Sequence, residues 1–235
     1  MNSLFLIKGE RIEQNRSMEK QSKFKLYYRI SLVLIAVVSV LFTIVDRGRR
    51  TLIYYTTWSV WFSSLTSFCA LTRTIYGKEE DRAYELLKFC STVMITATFV
   101  MSCFSLPDKI WERAWWTAGS TFKHFLLPVA VIFDQIAFTK KGSYKKFYPI
   151  ASMLAPFAYW TAVLSRIFIA RAYYGGAIPL YKAYDYYPYP FLYLDGGVSV
   201  AFVFTFLGVI AVCLFLLSIL AVKINCRYSI EKFGN

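Results

Sequence analysis

The sequence predicts an all-α integral membrane protein, a bundle of six transmembrane helices with both termini cytoplasmic, and three observations carry that prediction. First, hydrophobic residues make up 57% of the 235 positions and charged residues 17%, with a mean hydropathy of +0.44. A soluble domain carries about a quarter charged residues. Second, apolar runs long enough to cross a bilayer recur along the chain, separated by short charged or aromatic segments. Third, the basic residues are unevenly placed. With six spans, 18 of the 27 Lys and Arg fall on the side of the termini and 9 on the other. This is the bias expected when the richer side is cytoplasmic.

The spans are predicted at about Tyr27–Val45, Leu52–Leu71, Leu86–Leu106, Thr117–Phe138, Phe147–Ala170 and Val198–Val222. Residues 1–26 form a basic cytoplasmic tail, 27–222 the membrane domain and 223–235 a second tail. Helices are required because lipid offers no partner to an exposed backbone N–H or C=O. The apolar SLFLI near the N-terminus is too short for the core of a signal peptide. The net charge of +13 is then topology, aided by acidic lipid, and does not point to nucleic acid. Cys69, Cys90, Cys103, Cys213 and Cys226 lie within spans or on the cytoplasmic side and read as small packing residues. The sequon Asn15-Arg16-Ser17 lies on the cytoplasmic tail and is expected to be silent.

In the second span Thr56, Ser59, Ser63 and Ser67 form one polar stripe at helical spacing, flanked by Trp58 and Trp61. The simplest reading is helix packing, in which small hydroxyl residues let helices approach and bond back to their own carbonyls. In the fourth span Thr117, Ser120, His124, Val131 and Gln135 share a face. His124 is the single histidine of the chain. An imidazole is costly in lipid unless it faces a polar interior. Pro128 deprives the His124 carbonyl of its intrahelical partner, which predicts a kink. Asp134 is expected either buried with Gln135 or reaching to the interface toward Lys140 and Lys141, and no role is assigned to it. Counted from Arg50 and from the interfacial Trp115 and Trp116, Thr56 and His124 reach comparable depth in the outer half of the bilayer.

The segment between the fifth and sixth spans holds eight of the eighteen tyrosines together with Pro179, Pro188, Pro190 and two Gly-Gly pairs. It reads as an interfacial aromatic belt, or as a cap over an amphipathic cavity with Arg166 or Arg171 placed to meet an acyl carboxylate. No internal repeat is evident, which weakens an inverted-repeat transporter.

The chain resembles the androgen-induced protein family of multi-pass membrane hydrolases and its microbial relatives. The resemblance rests on the six-span length, the run Tyr54-Tyr55-Thr56-Thr57-Trp58-Ser59 opening the second span, and His124 with Pro128 opening the fourth. It also rests on the segment Tyr187 to Phe191, followed by an acidic-glycine turn before the last span. The resemblance implies a threonine hydrolase that cleaves fatty acid esters of hydroxy fatty acids or a related lipid ester. Thr56 would be the nucleophile, with Thr57 the alternative, and His124 its general base. Ser59 or a backbone N–H freed by the kink would stabilise the oxyanion, and Arg166, Tyr187 and Tyr189 would contact substrate. No cofactor and no metal is expected. The expected partners are the bilayer and a membrane lipid or fatty acyl ester. The expected location is a membrane crossed several times, the plasma membrane or endoplasmic reticulum if the chain is eukaryotic. The rival readings are a carrier using His124 and Asp134 as relay groups, and a structural membrane protein. A haem with two histidine ligands is excluded by the single His.

Overall fold

The computed structural model describes residues 2–104 and 118–230. Lys109, Arg113, Trp115, Trp116, Thr117 and the end of the third predicted span at Leu106 lie outside the described residues. Helices dominate, and no strand occurs among the described residues. Five of the helices are long and apolar enough to cross a membrane: Ser22–Asp46, Arg82–Cys103, Ala118–Phe138, Tyr148–Tyr173 and Val200–Cys226.

Helix α1 runs Asn2–Arg47, so the predicted basic tail continues the helix of the first span. A 3₁₀ turn at Gly48–Ile53 follows, opened by Gly48 at φ +51°, where a residue without Cβ is favoured. This turn delays α2, which spans Tyr55–Ile75 rather than starting at Leu52. Helix α2 is not among the five most apolar helices, because its hydroxyl stripe lowers its hydropathy. Helix α3 is Arg82–Phe104, and Asp81 caps it by accepting the Tyr84 N–H at 2.8 Å. Helix α4 covers Ala118–Phe138 and α5 covers Tyr148–Tyr173. A short helix α6 (Leu180–Tyr186) and two 3₁₀ turns shape the tyrosine-rich loop before α7, Val200–Ile230.

Helices α1 to α4 pack in a ring, and α5 and α7 are added on the α3 side. Two cores result. One, inside the ring of all four helices α1 to α4, is built from Leu32, Ala36, Val60, Ile95, Leu127 and Val131. The larger one joins α3, α5, α7 and the tyrosine-rich loop around Phe89, Met94, Tyr148, Tyr159 and Leu192. Leu41, Leu65, Ile169, Val209 and Leu216 are exposed, as lipid-facing side chains must be. Helix α7 is the extreme case, with only 17% of its most apolar stretch buried.

Hydroxyl groups join the helices where apolar contact leaves off. Ser91 of α3 donates to Ser63 at 3.0 Å and accepts from Thr66 at 2.9 Å, both on α2. Ser152 and Ser218 meet at 3.1 Å between α5 and α7. These contacts follow the packing reading of the stripe: Ser59, Ser63 and Ser67 are buried, and Ser67 bonds back to the Ser63 carbonyl. At the end of the ring nearer the α2–α3 turn, the buried Arg29, Lys88 and Asp134 meet a partly buried Glu80. Asp134 of α4 accepts from Arg29 Nε at 3.0 Å and from Lys88 Nζ at 2.7 Å. Arg29 also reaches Glu80 at 2.7 Å, the Ala70 carbonyl and the Thr74 hydroxyl. Asp134 and Gln135 are thus both buried, and Asp134 turns to Arg29 and Lys88 rather than toward Lys140 and Lys141. Gln135 bonds instead with the Tyr144 hydroxyl. A charge taken from water needs an opposite charge close by, and this square supplies two of each sign.

Candidate functional site at the start of the second helix

Helix α2 begins at Tyr55, and its N-cap, Tyr54, does not cap the helix through its own side chain. The loop before α7 supplies the cap instead. The Tyr189 hydroxyl accepts the Tyr55 N–H at 3.0 Å, meeting one of the four donors that a helix start leaves unpaired. Arg50 pairs with Asp185 at 2.8 Å, and the Tyr159 hydroxyl donates to the Ile53 carbonyl at 2.8 Å. Trp160 stacks on Tyr55 and borders Tyr189. The loop is therefore docked on the first turn of α2, where Thr56 is half-buried and Thr57 is fully buried.

On α4, the segment Phe122–Leu126 is a π-helical turn, closed by the Leu127 N–H on the Phe122 carbonyl. Pro128 explains it. The proline has no N–H for the His124 carbonyl and its ring crowds that carbonyl, so the preceding turn widens. The expected disturbance at Pro128 takes this form. Within the wide turn His124 is half-buried, and its Nδ1 lies 2.6 Å from the Ser102 hydroxyl of α3. Lys123, 5% exposed, forms an ion pair with Asp46 of α1. Gly119 makes that approach possible: a Cβ there would stand 2.8 Å from Asp46 Oδ2.

The register of α2 against α3 relates the two places. Ser59 Oγ meets Thr98 Oγ1 at 2.6 Å and donates to the Thr56 carbonyl at 2.9 Å. The helices run antiparallel, since Ser59 faces Thr98 whereas Ser63 faces Ser91. One turn from Ser59 toward the start of α2 is Thr56, and one turn on from Thr98 is Ser102. Thr56 and the Ser102–His124 pair therefore occupy one level of the bundle. No hydrogen bond joins Thr56 to His124 among the described residues. Ser59 is fully buried and engaged between the two helices.

No family model, curated protein or solved structure matches this chain.

The remaining expected site residues lie in or near the loop. Arg171 pairs with Asp195 at 3.4 Å and donates to the Gly176 carbonyl at 2.9 Å, so its charge is already met. Asp195 also accepts from the Ile178 N–H at 2.9 Å and the Tyr187 hydroxyl at 2.6 Å. Tyr187 is buried; that burial, then its bond to Asp195, holds the phenol above its ordinary pKa. Its placement makes it a brace within the loop. Arg166 is exposed and lies over the Tyr186 ring at 5.1 Å. Sequence reasoning missed Ser102, the Lys123–Asp46 pair, and Arg29, Lys88 and Glu80 around Asp134. For Ser102 a signal existed: it stands four residues after Thr98 on the hydroxyl-bearing α3.

Proposed function

We propose that the protein is an intramembrane hydrolase of lipid esters, with Thr56 as nucleophile and His124 as general base. The observation that carries this reading is the held imidazole. His124 sits in a widened turn against the Ser102 hydroxyl, at the level of a half-buried threonine under a docked loop. Such wide turns recur at functional sites, and a base oriented by a third group is the working arrangement of acyl-transfer dyads. The resemblance to the androgen-induced family adds the identity of the nucleophile and the lipid ester.

In this reading the Thr56 oxygen attacks the ester carbonyl while its proton passes to the imidazole. The tetrahedral intermediate collapses, the C–O bond breaks, and the imidazolium gives its proton to the departing alcohol. Water then attacks the acyl-threonine, with the imidazole taking its proton and returning it to the threonine oxygen as the acid leaves. Arg166 is the cation suited to a free carboxylate of the substrate, because Arg171 is already paired with Asp195. Tyr189 stands where an ester head group would lie above Thr56.

The reading includes six spans, with α2 as the sixth. Its 21 residues reach about 31 Å at 1.5 Å per residue, enough to cross the hydrocarbon core. Both termini then lie on the cytoplasmic side, where the basic residues concentrate. A carrier using His124 and Asp134 as relay groups has less support, since Asp134 is held between two cations and lies ten residues along α4.

The test is labelling of the purified protein by a fluorescent fluorophosphonate, comparing wild type with Thr56→Ala and His124→Ala at equal helix content. Labelling lost in both variants is expected. A folded wild type that does not label would sink the proposal.

A further inference from the structure

Ser102 makes two short contacts with one hydroxyl proton. Its Oγ lies 2.6 Å from the Thr98 carbonyl and 2.6 Å from His124 Nδ1. A carbonyl oxygen can only accept, so at that distance the serine proton must point to it; otherwise two oxygens would face each other with no hydrogen between them. The second contact then needs its hydrogen from the ring. Nδ1 must carry a proton and donate to Ser102, which in the neutral ring leaves Nε2 as the nitrogen with the basic lone pair.

We infer that Ser102 is a positioning residue that fixes the Nδ1–H tautomer of His124 and aims Nε2 as the base. The role given to Nε2 rests on the hydrolase reading; the assignment of the tautomer does not. The surrounding geometry sustains the arrangement. Thr98 is anchored through its own hydroxyl to Ser59, which is bonded to the Thr56 carbonyl. The carbonyl that orients Ser102 is therefore tied to the turn that carries Thr56. The wide turn ahead of Pro128 sets the imidazole against α3, so that ring orientation and proton position are determined together. In acyl-transfer sites a buried acid usually holds the base's second nitrogen; here a neutral hydroxyl with its proton already spoken for does the same without adding a charge to the membrane interior.

Because His124 is the single histidine of the chain, its ring can be observed without interference. The experiment uses full-length protein carrying a purification tag free of histidine, labelled with ¹⁵N-histidine and held in phosphatidylcholine nanodiscs. Long-range ¹H–¹⁵N correlation reads which nitrogen bears the proton. Nδ1–H is expected in wild type and in Ser102→Thr, and a change to Nε2–H, the form favoured by free histidine, in Ser102→Ala. Fluorophosphonate labelling should fall about ten- to hundredfold in Ser102→Ala and recover in Ser102→Thr. An Nε2–H ring in the wild type, or an Nδ1–H ring unaltered in folded Ser102→Ala, overturns the assignment. Should Ser102→Ala fail to fold, the wild type and Ser102→Thr decide, since both must show Nδ1–H. An Nδ1–H ring in a wild type that never labels leaves the Ser102 assignment standing and removes the hydrolase reading. Full labelling in Ser102→Ala with an unaltered ring does the reverse.

Discussion

The Tyr189 hydroxyl caps α2 by accepting the Tyr55 N–H at 3.0 Å, across 134 positions of chain. The helix that carries Thr56 is thus completed by a loop belonging to the other end of the sequence.

Replacing Tyr189 by Phe removes that acceptor and keeps the ring. The loss should be about 1 kcal/mol of stability, the usual cost of an absent cap. Hydrogen exchange at the Tyr55 amide should accelerate while amides in the middle of α3 stay unchanged. Equal acceleration throughout would mean that the cap has no local role.

The Arg29–Asp134–Lys88–Glu80 square predicts strong non-additivity. Asp134→Asn leaves Arg29 and Lys88 buried against one carboxylate and should cost about 3–5 kcal/mol. Arg29→Met alone should be similarly damaging. Combining Arg29→Met with Asp134→Asn leaves Lys88 facing Glu80 at 3.6 Å, with the charges balanced. The double variant should unfold nearer to wild type than the two single losses added together. Denaturant midpoints in detergent check this, and simple additivity would refute it.

Ser91 tests the hydroxyl seam between α2 and α3. Ser91→Ala removes the partner of both Ser63 and Thr66, and should cost only about 0.6 kcal/mol per bond, the average found for such bonds in membranes. Ser91→Leu should cost several times more, because the site is fully buried and the helices must part. If the two substitutions have the same effect on the unfolding midpoint, close approach is not what the seam provides.

Asp81 gives a pH dependence whose sign follows from its contacts. The Tyr84 N–H, then the Arg73 guanidinium, hold its carboxyl below the usual aspartate pKa. A lowered pKa in the folded state means stabilisation that is complete at neutral pH. It is lost as pH falls through the normal aspartate value of about 3.9 and below. The melting temperature of wild type should exceed that of Asp81→Ala at pH 7, with the gap closing on acidification. A gap constant with pH would exclude an ionised cap.

What sequence made visible was what depends on neighbours along the chain. Spans are legible because about twenty apolar residues in a row have few other uses, and the spanning helices start within a few residues of expectation apart from α1, whose helix already begins at Asn2; α2 starts late, at Tyr55 rather than Leu52. There the miss is local: the turn opened by Gly48 consumes Leu52 and Ile53 before the helix begins. The stripe faced inward at Ser59, Ser63 and Ser67 as its spacing required, with Thr56 half-buried at its end. Contacts between distant residues were hidden. Nothing in the surroundings of Asp134 announces Arg29, 105 positions away, and the visible lysines at 140 and 141 drew attention to the wrong neighbours. Ser102 was hidden for the same reason, because only the packing of α3 on α4 brings it to His124. The loop tyrosines were read as a group, whereas Tyr187 braces the loop and Tyr189 caps a helix.

The widened turn before Pro128 also acts as a phase setting for α4. One surplus residue is stored in the turn that carries the imidazole, ahead of the half that carries Asp134. Each residue of an α-helix turns the chain by about 100°. A proline-free version of this helix, free to close that turn tightly, would rotate its upper half by up to that angle relative to its lower half. Asp134 would keep its clasp while His124 swung away from Ser102. A single backbone N–H, absent at position 128, thereby decides toward which neighbour the lone imidazole of the protein looks.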